Sequence, residues 1–359
     1  MIPANRVAPT ARAVAYQHAA AGGAVRAAPA TLPLRRSTVV LAAMAAAYFA
    51  GSLALAALGF DTTPSRRLLA ANLAGLFAIF AAFTSMAAGL RLAMRRLRPA
   101  ASSSETLATL ARRSPDALIV IGLFAVLNAT FWRYKNIIPD LVPFSWDAAL
   151  FRLDRIIHFG DPWRILEPVL GNGAITNLLV MAYGPAWICL WLGVLTWIAW
   201  TTDEPLRRRY IVTYVLMWFL LGNVLATLLS SAGPVFFGQV AFEPNPYAGL
   251  VEHLRGSVPF LAQAQETMWQ ANAMRPHPPL MPPISAAPSL HVALAVLNAL
   301  AVSRVSRTLG TGLWLFAAVV TLATIQLGFH YAVDAYLAVA ALLPLWWATS
   351  RFTGSREAR

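Results

Sequence analysis

The stretch Ser289–Thr349, SLHVALAVLNALAVSRVSRTLGTGLWLFAAVVTLATIQLGFHYAVDAYLAVAALLPLWWAT, decides how the whole chain is read. It holds three apolar runs, at 289–305, 311–328 and 330–349, separated by a short basic break at Arg304 and Arg307 and by Gly328. Each run is close to the length a helix needs to cross a hydrocarbon layer of roughly 30 Å. Toward the N terminus the same pattern returns at 38–58, 68–92, 117–132, 175–200 and 210–229. Backbone inside hydrocarbon must satisfy its own hydrogen bonds, and uninterrupted runs of this length suit helices rather than the short alternating strands of a barrel. The expected fold is therefore all-α, a polytopic membrane helical bundle of about eight transmembrane helices. Composition agrees: 58% of the 359 residues are hydrophobic and 12% charged, a balance foreign to soluble domains.

The net charge of +13 does not point to nucleic acid, because the basic residues are nearly all arginines in short loops between spans. Arg6, Arg12, Arg26, Arg35 and Arg36 precede the first run, and Arg95, Arg96, Arg98, Arg112 and Arg113 follow the second. Arg207 to Arg209, Arg304, Arg307 and Arg351 occupy alternate loops on that same side. The positive side is expected to be cytoplasmic, which places both termini inside and makes this an integral protein of an inner membrane. The long segments 133–174 and 230–288 then face outward. Within the first, WDAALFRLDRIIHFGDPWRIL at 146–166 spaces Trp146, Leu150, Leu153, Ile157 and Trp163 as an amphipathic helix on the membrane surface. The expected division is a flexible tail at 1–37, a hairpin at 38–116, a six-helix catalytic domain at 117–349 and a second tail at 350–359. The lone Cys189 permits no intrachain disulfide.

Two segments carry chemistry: PSLH at 288–291 and GFHYAVD at 328–334, both at outward helix starts. His291 and His330 are one helix down and one helix back from each other, so they can meet at one membrane level. His330 and Asp334 stand four residues apart; on one helix face, the carboxylate accepts the ring proton and leaves the other nitrogen as nucleophile or base. Free N–H groups at the two helix starts would attract a phosphate. Each of the three ionisable groups alone is an ordinary interface residue, whereas together they read as a site. Two other classes stay open: a transporter relaying protons through the same three groups, and a silent lipid-binding scaffold. The relay requires ionisable groups at mid-depth or a second polar layer on the cytoplasmic side.

AAPSLHV at 286–292 and TIQLGFHYAVDAYLA at 324–338, with LLSSAGPVFF at 228–237, resemble the type 2 phosphatidic acid phosphatase superfamily, and within it the branch related to inositol phosphorylceramide synthase. The resemblance implies a six-helix phosphatase-type core and an enzyme cleaving or transferring lipid phosphoesters through a phosphohistidine. It makes His330 the nucleophile, Asp334 its orienting partner and His291 the general acid. It implies no metal and no cofactor; membrane lipids are the substrate partners, and no obligate protein partner is inferred. Leu290 stands where the phosphatases carry Gly, and Ala323-Thr324 where they carry Ser-Arg, so another cation must meet the phosphate. Ser289 and Leu290 at the helix start, with Lys135, Arg155 and Arg275, are the expected contacts; Arg152 and Arg255 are further candidates. Arg91 with Arg98-Pro99 imitates an upstream family motif but falls on the cytoplasmic side. Tyr183-Gly184-Pro185 is expected to mark a kink, and Gly233-Pro234 the stop of the fifth span.

Overall fold

The computed structural model describes residues 34–60, 103–241, 244–273 and 283–353, with isolated positions between 74 and 85. The run at 68–92, Arg91, Arg98, Arg275, His277 and most of both tails lie outside the described residues. Among the described residues every regular element is helical. The principal helices are α1 (Arg36–Ala57), α2 (Ser103–Asn136), α3 (Asp147–His158), α4 (Pro162–Leu170), α5 (Gly173–Trp200), α6 (Glu204–Leu228), α7 (Ala248–Ser257), α8 (Pro259–Ala273), α9 (Leu290–Ser303), α10 (Arg307–Gln326) and α11 (Ala332–Thr353). Six of them are long and apolar enough to cross a membrane: α1, α2 with its continuation to Leu141, α5, α6, α10 and α11.

Local sequence sets the boundaries. Asp203 caps α6 by accepting the Leu206 N–H at 2.9 Å, with Pro205 in the first turn where its missing N–H costs nothing. Asn172 caps α5 and Ser306 caps α10 in the same manner. Two spans contain a π-helical turn, Ala182–Ala186 around Pro185 in α5 and Leu220–Leu225 around Gly222 in α6. The segment Tyr183-Gly184-Pro185, expected to mark a kink, is thus a π-helical turn. Gly222 allows a close approach: a Cβ there would sit 2.6 Å from the Phe131 ring and 2.9 Å from Leu290.

Three expectations are corrected. The run at 289–305 is realised as α9, only 14 residues long, about 21 Å and short of a full crossing. It is buried along almost all of its length and packs against α5, α6, α10 and α11, serving as the central post of the bundle. The fifth span starts at Glu204 rather than 210, so Arg207 and Arg209 are inside the helix and fully buried rather than in a loop. The helix at 147–158 does not turn one uniform apolar stripe to lipid. Asp147, Leu150, Phe151 and Asp154 face the protein, while Leu153, Ile156, Ile157 and Phe159 are exposed. The carboxylates outweigh the periodicity because both find main-chain donors on the inner side.

The two ends of the bundle differ. At one end, where α1 and α6 begin, the Arg207 guanidinium meets Asp116 at 2.7 Å, Ser37 Oγ at 2.8 Å and Thr38 Oγ1 at 3.2 Å, and its Nε donates to the Ile198 carbonyl at 3.2 Å. Arg35 adds a contact to Asp116 at 3.4 Å and donates to the Thr201 carbonyl at 2.5 Å. Nearby, Arg209 donates to the Trp346 carbonyl and lies over the Trp346 ring. The starts of α9 and α11 and the loop after α6 gather at the opposite end.

Candidate active site

Three loops meet at that opposite end: Ser230–Pro234 after α6, the segment 284–289 before α9, and Leu327–Tyr331 between α10 and α11. The first knits the other two together. Ala286 N–H donates to the Ser231 carbonyl at 2.9 Å and Ala287 N–H to Ser231 Oγ at 3.0 Å, while Val235 N–H donates to the Gly328 carbonyl at 2.9 Å. Gly233 has φ of 104° and lies so close to the Phe329 carbonyl that a Cβ would meet it at 2.6 Å. Only glycine suits both conditions.

The expected pair of histidines is brought together, with ring centroids 6.3 Å apart. Both line a cavity of about 450 Å³ whose walls are otherwise largely aromatic, with Phe131, Trp132, Trp187, Trp191, Trp218 and Phe329 among them. Lys135, at the end of α2, is the cation in this lining among the described residues.

His330 sits in the turn before α11, not on the helix as the four-residue spacing suggested. Its Nδ1 lies 2.8 Å from the Ala286 carbonyl and 3.5 Å from Asp334 Oδ2. A carbonyl only accepts, so Nδ1 carries the proton and Nε2 holds the lone pair. The Ala286 carbonyl and Asp334, which the sequence singled out for this role, thus face the same ring nitrogen, the carbonyl being the nearer. Asp334 is fully buried; its Oδ2 accepts the Tyr331 N–H at 3.0 Å, and its Oδ1 has no hydrogen-bond partner among the described residues.

His291, in the first turn of α9, is held by two side chains of α5. Tyr183 stacks on its ring at 4.2 Å and places its hydroxyl 3.1 Å from Nδ1. Trp187 lies 4.2 Å away on ring centroids and donates its indole N–H to the His291 carbonyl at 3.0 Å. Tyr183 is thus beside the candidate site, although the sequence pointed only to a kink there. The pattern that could have marked it is an aromatic residue on the turn that a Gly-Pro pair loosens.

The other expected contacts separate. Ser289 is buried and caps α9, its Oγ accepting the Val292 N–H at 3.5 Å, and Leu290 lines the cavity. Arg155 is largely exposed and pairs with Asp161 at 3.4 Å, while Arg255 lines a different cavity between α7 and α8. Arg152 is exposed on α3 and is not in the lining of the histidine cavity. The free N–H groups expected at the start of α11 are occupied: Asp154 accepts those of Ala332 at 2.8 Å and Val333 at 2.9 Å. Burial raises the Asp154 carboxyl to about 6 even though those two N–H bonds pull it down. Asp147 is also raised by burial, against the bonds it accepts from Ala232, Gly233 and Tyr331.

The second polar layer that a relay requires does exist, at the Arg207 end. Asp116 and Lys135 both lie on α2, 19 residues and about 28 Å apart. Between them only Arg133 and Tyr134, adjacent to Lys135, are ionisable. The two layers are separated by apolar helix, which offers a proton no path along α2.

A bundle with six helices long and apolar enough to cross a membrane, and two histidines lining a cavity of about 450 Å³, defines a membrane protein with a candidate active site. The chain belongs to the PAP2 superfamily, whose match covers residues 148–348, from α3 to α11, and so includes His291, His330 and Asp334. Membership supports a phosphatase-like enzyme acting on lipid phosphoesters. No curated protein and no solved structure matches the chain.

Proposed function

We propose that this protein is a lipid phosphoesterase or phosphotransferase that works through a phosphohistidine on His330. The support is the arrangement of His330 itself: Nδ1–H is spent on the Ala286 carbonyl, so the nitrogen left with its lone pair is Nε2, on a ring that lines the cavity. Nε2 attacks phosphorus; the P–N bond forms as the P–O bond to the leaving group breaks, and the oxygen takes the electron pair. The imidazole becomes cationic, and the unpaired Oδ1 and nearby Oδ2 of Asp334 stabilise it.

His291 is the proton donor for the leaving oxygen. As the imidazolium, His291 donates its Nδ1–H to the Tyr183 oxygen, 3.1 Å away, and presents its Nε2–H to the leaving oxygen, so that neutral imidazole remains after the proton is given. In the second half-reaction His291 takes a proton from water or an alcohol, whose oxygen attacks phosphorus and releases His330. Lys135 supplies the positive charge for the phosphate that the departures at Leu290 and Ala323-Thr324 call for. The aromatic walls accommodate the lipid portion of the substrate.

The same departures favour the inositol phosphorylceramide synthase-like branch, in which a phospho-head group passes to a lipid hydroxyl. The arginine distribution supports an inner-membrane location with both termini cytoplasmic and the histidines outward, within a catalytic domain at 117–349. The deciding experiment incubates purified protein with a panel of phospholipids, with and without ceramide or diacylglycerol, and identifies products by mass. A new phospholipid formed only with acceptor supports transfer; release of phosphate alone supports hydrolysis; no phosphoester change across the panel counts against the proposal.

A further inference from the structure

On α3 the positions 147, 150, 151 and 154 follow the i, i+3, i+4, i+7 spacing of one helix face, and all four are buried. The middle pair is apolar, with Phe151 edge-on to Phe237 at 5.4 Å and to Tyr247 at 5.8 Å. The outer pair consists of carboxylates. Asp147 accepts the Ala232 N–H at 2.9 Å, the Gly233 N–H at 2.8 Å and the Tyr331 hydroxyl at 2.8 Å. One turn further on and then another, Asp154 holds Ala332 and Val333 through one oxygen each. The segments so held carry the site: Ala232 lines the cavity, Gly233 abuts the Phe329 carbonyl, and 331–333 is the whole link between His330 and Asp334.

We infer that Asp147 and Asp154 are positioning residues for the reaction, a two-point clamp by which α3 fixes His330 and Asp334 against the loop that follows α6. The inference rests on the assignment of His330 as nucleophile. The two-oxygen grip of Asp154 is what an amide cannot copy: asparagine keeps one acceptor and turns an NH2 toward the other main-chain N–H, which then has no partner. The Tyr331–Val333 segment shifts, and with it the imidazole that precedes it. Displacements on the order of 1 Å in a site cost about 10²-fold in rate.

The test uses full-length protein in lipid nanodiscs, with p-nitrophenyl phosphate as the probe for kcat and KM, and side-chain 15N NMR of His330, which reports its tautomer without any substrate. Asp154→Asn is expected to lower kcat about 10²-fold, leave KM nearly unchanged, and replace the single Nδ1–H tautomer of His330 by a mixture. Leu150→Ala, on the same face, is expected to lower the melting temperature and leave kcat and tautomer as in wild type. If Asp154→Asn instead behaves like Leu150→Ala, the clamp is merely structural and the inference is overturned. Should Asp154→Asn fail to fold, Tyr331→Phe deletes only the hydroxyl bond to Asp147, and a kcat loss of about threefold to tenfold with a disturbed tautomer is required of it; wild-type values in both overturn the clamp. His330→Ala separates the two levels: an active His330→Ala protein removes the nucleophile assignment, whereas an inactive one beside a wild-type-like Asp154→Asn removes only the clamp.

Discussion

Both ends of this bundle bury charged side chains, but they do so in opposite ways. At the Arg207 end the charges close on one another: guanidinium, carboxylate and two hydroxyls satisfy each other within 3.2 Å, and the cluster ties α1 to α2 and α6. At the histidine end each histidine is held from behind, by the Ala286 carbonyl or the Tyr183 hydroxyl, while its ring lines a cavity. A closed set holds a fold in register. A set held on one side only is prepared to act on something else. Polar groups near membrane depth thus divide by whether they are paired with one another or supported on one side only.

The largest predicted effects are at the open end and separate the two histidines. His330→Ala abolishes turnover of every substrate. His291→Ala loses about 10²–10⁴-fold on a lipid whose leaving alkoxide needs a proton, and clearly less on a p-nitrophenyl ester, whose leaving group is already a stable anion. Single-turnover rates on the two substrates check this. Equal losses would turn His291 into a phosphate ligand and end its assignment as acid.

The closed end predicts the reverse pattern. Asp116→Ala takes from the buried Arg207 the carboxylate at 2.7 Å and leaves it Glu204 at 3.8 Å, a change that costs up to about 3–5 kcal/mol of stability. Turnover per folded molecule stays at the wild-type value. Chemical denaturation alongside an active-site titration reads both quantities, and a fall in kcat at full folding would mean that the two ends are coupled after all.

Tyr183→Phe tests the back support of His291 with less force. The ring stack survives and one hydroxyl bond is lost, so turnover of the lipid falls about threefold to tenfold. Unchanged turnover would mean that the Tyr183 hydroxyl does not support His291 in catalysis.

The smallest effect concerns pH. The Asp154 carboxyl is raised by burial from 3.8 to about 6 in the folded protein, with Asp334 and His158 facing it. A raised folded value means that the native state holds the proton more tightly. The stability it contributes is therefore complete below about 3.8 and is lost as pH rises through about 6. Wild type should gain melting temperature between pH 7.5 and pH 5 by more than Asp154→Asn does. Parallel pH dependence in the two proteins would contradict the shift.

Much of this was legible in the sequence, for identifiable reasons. Apolar run length exposed the spans among the described residues, and the 39-residue separation of His291 and His330 was enough to bring them together because both sit where a short helix pair returns to one level. What the sequence obscured were the positions where tertiary partners overrule a local rule. Arg207 and Arg209 looked like loop arginines, because nothing nearby in sequence announces Asp116 or the Trp346 carbonyl. Asp147 and Asp154 looked like the polar side of a surface helix, because their donors lie 85 and 178 residues away. The placing of Lys135 in the cavity, and of Arg152, Arg155 and Arg255 outside its described lining, needed the packing between α2, α5, α6 and the loops. Ala286, a residue with no functional side chain, faces Nδ1 of His330 through its carbonyl and is invisible to any motif.

The central claim is that Nε2 of His330 becomes covalently bonded to phosphorus. It is tested most directly by mixing wild-type protein with a turned-over phospholipid carrying 32P in its phosphate, quenching in alkali within one turnover, and locating label by peptide mass analysis. The account predicts base-stable, acid-labile label on the peptide containing His330 in wild type, its accumulation in His291→Ala when an activated ester is used, and none in His330→Gln. Turnover without protein-bound phosphorus, or label that persists in His330→Gln, would contradict it.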